Sequence, residues 1–177
     1  MNSDQFLKHL QSHTESFAAA VATNEGDWVI KGFIDVYRRI YTISIDTKII
    51  SKVLELLLFP MFVDFAKRQD LEIHLSPQQN FYTDLTFIEK VTRSKFAVDI
   101  KSTYRVDSTN VNGMTPGAFT GYFRNRNSSK NTLYPYGEYQ GLFVLGVIYS
   151  KSGDTIDERK QYSIDDLDKI PSVIHEF

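Results

Sequence analysis

Apolar residues recur along the chain with two different periods. Near the start, Phe6, Leu10 and Phe17 fall on one face of a helix that the spacing predicts from a Ser3 cap to about Val21. The next stretch, DWVIKGFIDVYRRIYTI, alternates in places around Gly26 and Gly32 and predicts a β-hairpin or two short strands. Helical spacing returns after Asp46, a candidate N-cap, with Ile49, Ile50, Val53, Leu54, Leu56 and Leu57 as the apolar set. Lys48, Lys52, Glu55 and Phe59 share the remaining face. Pro60 is expected to end or kink that helix before MFVDFAKRQ resumes it. Two strands follow, TDLTFI and FAVDIKSTY, joined by a turn in EKVTRSK. Beyond the loop RVDSTNVNGMTPGAF and a basic segment, LFVLGVIY is continuously apolar and predicts a strand buried on both sides. YSIDDLDKIP then predicts a short helix with Ser163 and Asp166 in capping-box positions and Pro171 past its end.

Composition narrows the class. With 177 residues, 42% of them hydrophobic and 14% aromatic, the chain fits one globular domain spanning 1–177. The absence of cysteine removes disulfides and thiolate metal sites and suits a reducing compartment, so the cytoplasm is expected. There is no long apolar run of membrane-spanning length, and the start MNSDQFLKHLQSHTES lacks the basic-then-apolar order of a signal peptide. A formal net charge of −2 gives no basic bias, although clustered carboxylates can mask a basic surface.

The chemistry concentrates in residues 80–104. If TDLTFI and FAVDIKSTY pair about a turn centred between Val91 and Thr92, Asp84 lies directly opposite Asp99. Cross-strand neighbours sit about 4.5–5.5 Å apart at Cβ, so two carboxylates there repel each other unless a cation or a proton lies between them. Strand alternation puts Lys101 on the same side as Asp99, with Val98 and Ile100 expected in the core. Carboxylates are the ligands magnesium prefers, and an adjacent ammonium stabilises negative charge that grows on a phosphate. Elsewhere His9 and His13 have i, i+4 spacing but no evident third ligand. Neither GDWVIKG nor GAFTGYFRN matches a phosphate-cradling loop.

TDLTF with VDIKSTY resembles the signature of the PD-(D/E)xK nucleases. The segments DTKIIS, LELLLFP, QQNFYTD, AVDIKSTY, FRN, YPYGEY and YSIDDLDKIP, in this order, resemble type II restriction endonucleases of the EcoRV type over nearly the whole chain. That resemblance implies an α/β restriction-endonuclease-like fold, a mixed central sheet flanked by helices. It also implies Mg²⁺ as cofactor, duplex DNA as substrate and a homodimer. Asp84, Asp99 and Glu55 would be metal-binding acids, the Ile100 carbonyl a further ligand, and Lys101 the catalytic lysine. Gln78, Gln79 and Asn80 would approach the minor groove, while Thr47, Lys48, Ser102, Thr103 and Arg124 would contact phosphates. The chain departs from the pattern at Thr83, where a proline is usual, at Gly121, where a hydroxyl is expected, and at Phe81, where a polar residue is usual. It also stops at IPSVIHEF, where EcoRV-like enzymes continue into a major-groove recognition portion, so that portion is expected to be missing. The residues also admit a repair or junction nuclease with the same core, or an inactive DNA-binding remnant.

Overall fold

Asn2, not Ser3, caps the first helix: its side chain accepts the Gln5 N–H at 2.9 Å while the Gln5 side chain accepts the Asn2 N–H, a closed capping box. That helix, α1 (Ser3–Gln11), stops short, and α2 (Thr14–Val21) follows, so the single run expected to Val21 is broken. Ser12 Oγ and Thr14 Oγ1 donate to the carbonyls of His9 and Gln11, local bonds that compete with continued helix. The remaining elements are β1 (Gly32–Ile34), β2 (Arg39–Thr42), α3 (Thr47–Arg68), β3 (Leu71–Leu75), β4 (Leu85–Glu89), β5 (Lys95–Tyr104), β6 (Tyr139–Lys151), β7 (Gln161–Ser163) and β8 (Ile174–His175), with 3-10 turns at Tyr136–Glu138 and Ile164–Lys169. This computed structural model describes residues 1–43, 45–78, 81–114, 124–153, 157 and 159–177.

A mixed five-stranded sheet has the order β3-β4-β5-β6-β8, and a three-stranded sheet the order β1-β2-β7. The chain clusters into two compact units, with α3, β5 and β6 contributing to each. Among the described residues no helix is long and apolar enough to cross a membrane.

The first unit (Met1–Glu15, Phe59–Lys101, Met114–Gly146) is built on an aromatic core. Phe6 stacks on Phe96 with ring centroids 4.5 Å apart and also meets Phe65, Phe87 and Phe143. Strands β3, β4 and β5 run antiparallel, with Ile73, Phe87 and Phe96 in register on the core side. Strand alternation then gives the opposite face His74, Thr86 and Ala97 in one row and Glu72, Ile88 and Lys95 in another. β3 (LEIHL) is short and mixed in character, and no clear period announced it.

In the second unit (Ser16–Leu58, Ser102–Gly113, Val147–Phe177), the expected hairpin forms between β1 and β2. Asp35 closes its turn, accepting the N–H groups of Tyr37 and Arg39, Arg39 Nε and the Tyr41 hydroxyl. These donors hold the Asp35 carboxyl below its ordinary range despite an opposing desolvation cost. Gly32 is required by contact, since a Cβ there would lie 2.5 Å from the Tyr41 carbonyl oxygen. Trp28, fully buried, donates its main-chain N–H to the Ile174 carbonyl. The expected capping box at Ser163 and Asp166 is present.

α3 continues through Pro60, so the proline does not end the helix and MFVDFAKRQ resumes it as expected. Leu56, whose carbonyl loses its partner to the proline, is 64% exposed, so water can satisfy that group. β6 is not buried on both sides: Val147 and Tyr149 are buried while Val144 is 52% exposed, so apolar character overstated burial.

Candidate active site

β4 and β5 pair with Leu85 opposite Val98 and Thr86 opposite Ala97, a register that extends to Asp84 opposite Asp99. Asp84 lies one residue before β4 rather than within it. Its Oδ2 accepts the Ile100 main-chain N–H at 2.6 Å, which fixes the carboxylate against β5 just beyond the end of β4. Burial pushes the Asp84 carboxyl up to about 6; the Ile100 N–H opposes this and the Asp99 charge reinforces it.

Asp99 is not on a solvated face. It is 3% exposed, next to Val98 at 0%, so both sides of β5 are covered at this point, and Ile100 is only half-buried. Lys101 Nζ lies 2.5 Å from Asp99 Oδ2, with 28% of the lysine side chain exposed. The same oxygen lacks a hydrogen bond of proper direction, so we read this approach as a charge contact.

The cover over this face comes from residues 134–139, whose role in the fold was not legible in the sequence. The Tyr134 hydroxyl lies 2.9 Å from His74 Nδ1, the Tyr139 hydroxyl lies 3.0 Å from Thr86 Oγ1, and Lys95 Nζ pairs with Glu138 at 2.9 Å while lying over the Tyr134 ring. Tyr82 joins this layer. Its hydroxyl pKa is raised, first by burial and then by the charge of Asp99. The available signal was the run of tyrosines in YPYGEY, each an apolar ring with a polar tip.

In the second unit, Asp46 Oδ1 accepts the N–H of Lys48 at 2.8 Å and of Ile49 at 3.3 Å. These helix-start donors are therefore already taken, and an anion would meet the exposed Thr47 and Lys48 side chains instead of a bare helix end. Ser102 Oγ and Ser51 Oγ are 2.7 Å apart. Thr103 differs from its expected role: it is 4% exposed and its hydroxyl donates to the Asn112 carbonyl at 2.7 Å, a bond that anchors the strand. Glu55 is partly exposed and pairs with Lys52. Gln78 and Arg124 are exposed, while Gln79, Asn80 and Gly121 lie outside the described residues.

The family model for restriction endonuclease EcoRV matches residues 24–177. The chain belongs to the EcoRV restriction endonuclease family. The type II restriction enzyme EcoRV of Escherichia coli is 30% identical over 141 residues, covering 79% of this chain and 57% of that enzyme. The chain thus spans little more than half the length of the curated relative it matches. For this EcoRV-family chain, the α/β architecture with its mixed sheet is the restriction-endonuclease-like fold.

The carboxylate pair fits a hard divalent cation. Its donors are oxygens, one carboxyl is held up by burial and by its neighbour's charge, and a buried oxygen of the other lacks a directed hydrogen bond. Among the described residues no three His, Cys, Asp or Glu side chains cluster. A stability prediction follows from Asp84. Its folded pKa, about 6, stands above the ordinary aspartate value of 3.8. Below both values the group is protonated in both states and imposes no penalty; as pH rises through this window the unfolded chain loses the proton first, so folding is progressively disfavoured. In chelator, Asp84→Asn is expected to gain stability over the wild type as pH rises from about 4 to about 7. Unfolding curves across that range check it, and a difference independent of pH would contradict the assignment.

Proposed function

We propose that this chain is a Mg²⁺-dependent type II site-specific deoxyribonuclease that cuts both strands of duplex DNA as a homodimer, leaving 5′-phosphate and 3′-hydroxyl ends. The observation that supports it is the opposed pair of half-buried Asp84 and buried Asp99 with Lys101 in contact with Asp99. Asp84, Asp99 and the Ile100 carbonyl would hold the cation; Glu55 is proposed as an assisting acid from the family resemblance alone, no cluster of three such acids being present among the described residues. When bound, the cation stabilises charge on the phosphate and makes water a better nucleophile. Lys101, in contact with Asp99, presents its ammonium to the phosphate oxygens as negative charge develops. Two-fold symmetry suits a palindromic site. The cysteine-free composition suits a reducing setting, and we place the reaction in the cytoplasm.

DNA contacts are proposed from Thr47, Lys48, Ser102 and Arg124 to phosphates and from Gln78, Gln79 and Asn80 to the minor groove. The Thr103 hydroxyl, which donates to the Asn112 carbonyl, has no proton left to give a phosphate oxygen. Phosphate contacts position a protein without reading sequence, so the affinity they supply is expected to fall steeply with salt and discrimination between duplexes to rest on the groove contacts. Lys48→Gln is expected to flatten the slope of log K against log salt by about 0.9. An unchanged slope removes Lys48 from the interface.

Purified full chain incubated with mapped linear DNA, plasmid and four-way junctions tests the function. Discrete fragments from ordinary duplex are expected. Cutting confined to junctions would point to a structure-selective nuclease with the same core.

A further inference from the structure

Asp84 is the first residue beyond two ladders. Leu85 pairs with Leu75 of β3 and with Val98 of β5, and both sets of paired residues end there. A carboxylate meant for a cation has to be aimed by the groups behind it. At Asp84 the sheet's own hydrogen bonds no longer do this.

Side chains take over. Ser76 Oγ donates to the Thr83 carbonyl at 2.7 Å, and Thr83 Oγ1 donates to the Leu85 carbonyl at 3.1 Å, so the residues on either side of Asp84 are tied together across it. Thr86 Oγ1, two positions past Asp84, lies 3.0 Å from the Tyr139 hydroxyl. Burial holds that phenol above its ordinary range, while hydrogen bonding with Thr86 and, more weakly, with Thr83 opposes the shift. Tyr139 thus bears on hydroxyls both before and after Asp84. Thr83 and Thr86 are buried, so water does not compete for these bonds. Thr83 is also a position at which the chain departs from the nuclease pattern, and a proline there would bring no hydroxyl.

We propose that Thr83 is a positioning residue for Asp84: its hydroxyl, with Tyr139 behind it, fixes the entry to β4 so that the Asp84 carboxylate stays on the Ile100 N–H and opposite Asp99. This rests on the reading of Asp84 and Asp99 as ligands of the cation. All of these residues belong to the first unit.

Two measurements on the full chain test the proposal without reference to turnover. Amide hydrogen exchange at Ile100 in metal-free protein reports the bond to the Asp84 carboxylate, and Mn²⁺ titration by calorimetry reports the use of that carboxylate. Thr83→Val, which keeps the shape and removes the hydroxyl, is expected to speed exchange at Ile100 and to weaken Mn²⁺ binding, each by about two- to tenfold, the amount one neutral hydrogen bond contributes. Exchange at Phe87 and Phe96 is expected to change less, which separates local loosening from a general loss of stability. Thr83→Ser, which keeps the hydroxyl, is expected to retain the wild-type Mn²⁺ affinity, and Tyr139→Phe to follow Thr83→Val with a smaller effect. Wild-type Ile100 exchange and Mn²⁺ affinity in both Thr83→Val and Tyr139→Phe, while Asp84→Asn weakens binding, overturns the positioning role and leaves the cation site standing. If Asp84→Asn leaves Mn²⁺ affinity unchanged, the reading of the site fails and the proposal falls with it.

Discussion

Replacing Lys101 by alanine is expected to lower cleavage by about 10²–10³-fold, the usual cost of deleting one charge-stabilising donor, and to destabilise the protein as well. As a solvated strand lysine it would be nearly neutral for stability. Its place against a buried carboxylate changes that, because Asp99 is 3% exposed and Lys101 Nζ is in contact with it. Deleting one partner of a buried pair leaves the other charge uncompensated, typically about 3–5 kcal/mol, and the partial exposure of Lys101 places this case at the lower end. The double variant Asp99→Asn, Lys101→Met should recover most of that stability while staying inactive, since removing both charges removes the penalty but not the need for them in chemistry. Denaturant unfolding alongside cleavage separates the two effects. Undiminished turnover in Lys101→Ala would exclude the lysine from catalysis.

Phe6→Ala is expected to cost about 3–5 kcal/mol. The ring is fully buried, stacks on Phe96 at 4.5 Å and touches three further phenylalanines of the first unit. Deleting it leaves a cavity walled by rigid rings, which collapse poorly. A domain of this length loses about 2–4 °C in Tm per kcal/mol, so calorimetry should show a drop of several degrees. A small shift would mean that α1 contributes little to the core. Because Phe96 lies three positions before Asp99 on β5, loosening this core should also lower activity.

The legible parts of the fold were those in which local chemistry and tertiary packing agree. The Asp46 cap, the hairpin closed by Asp35, the Ser163 capping box and the register that opposes positions 84 and 99 all follow from short-range rules. The misread parts depend on distant chain. Periodicity placed Asp99 on one face of β5 but could not show that residues 134–139 cover that face, so its burial was missed. LFVLGVIY looked doubly buried because apolar content was the only guide, and which strands flank β6 is a tertiary fact. Helical spacing also listed Ile49 and Leu56 with the core set, whereas both are exposed. At the candidate site, the carboxylates and the lysine were legible as residue types in a pattern. The main-chain bond from Ile100 to Asp84 and the pairing of Glu55 with Lys52 were not, since both depend on side-chain placement.

Cleavage of plasmid DNA by the full chain, with Mg²⁺ or with chelator, beside Asp99→Asn prepared identically, tests the central claim most directly. The expected result is double-strand cutting to 5′-phosphate ends in Mg²⁺, no cutting in chelator, and loss of cutting in Asp99→Asn with duplex binding retained. Cutting that persists in Asp99→Asn would contradict the site, and DNA binding without turnover at any Mg²⁺ concentration would contradict the assignment of this chain as a nuclease.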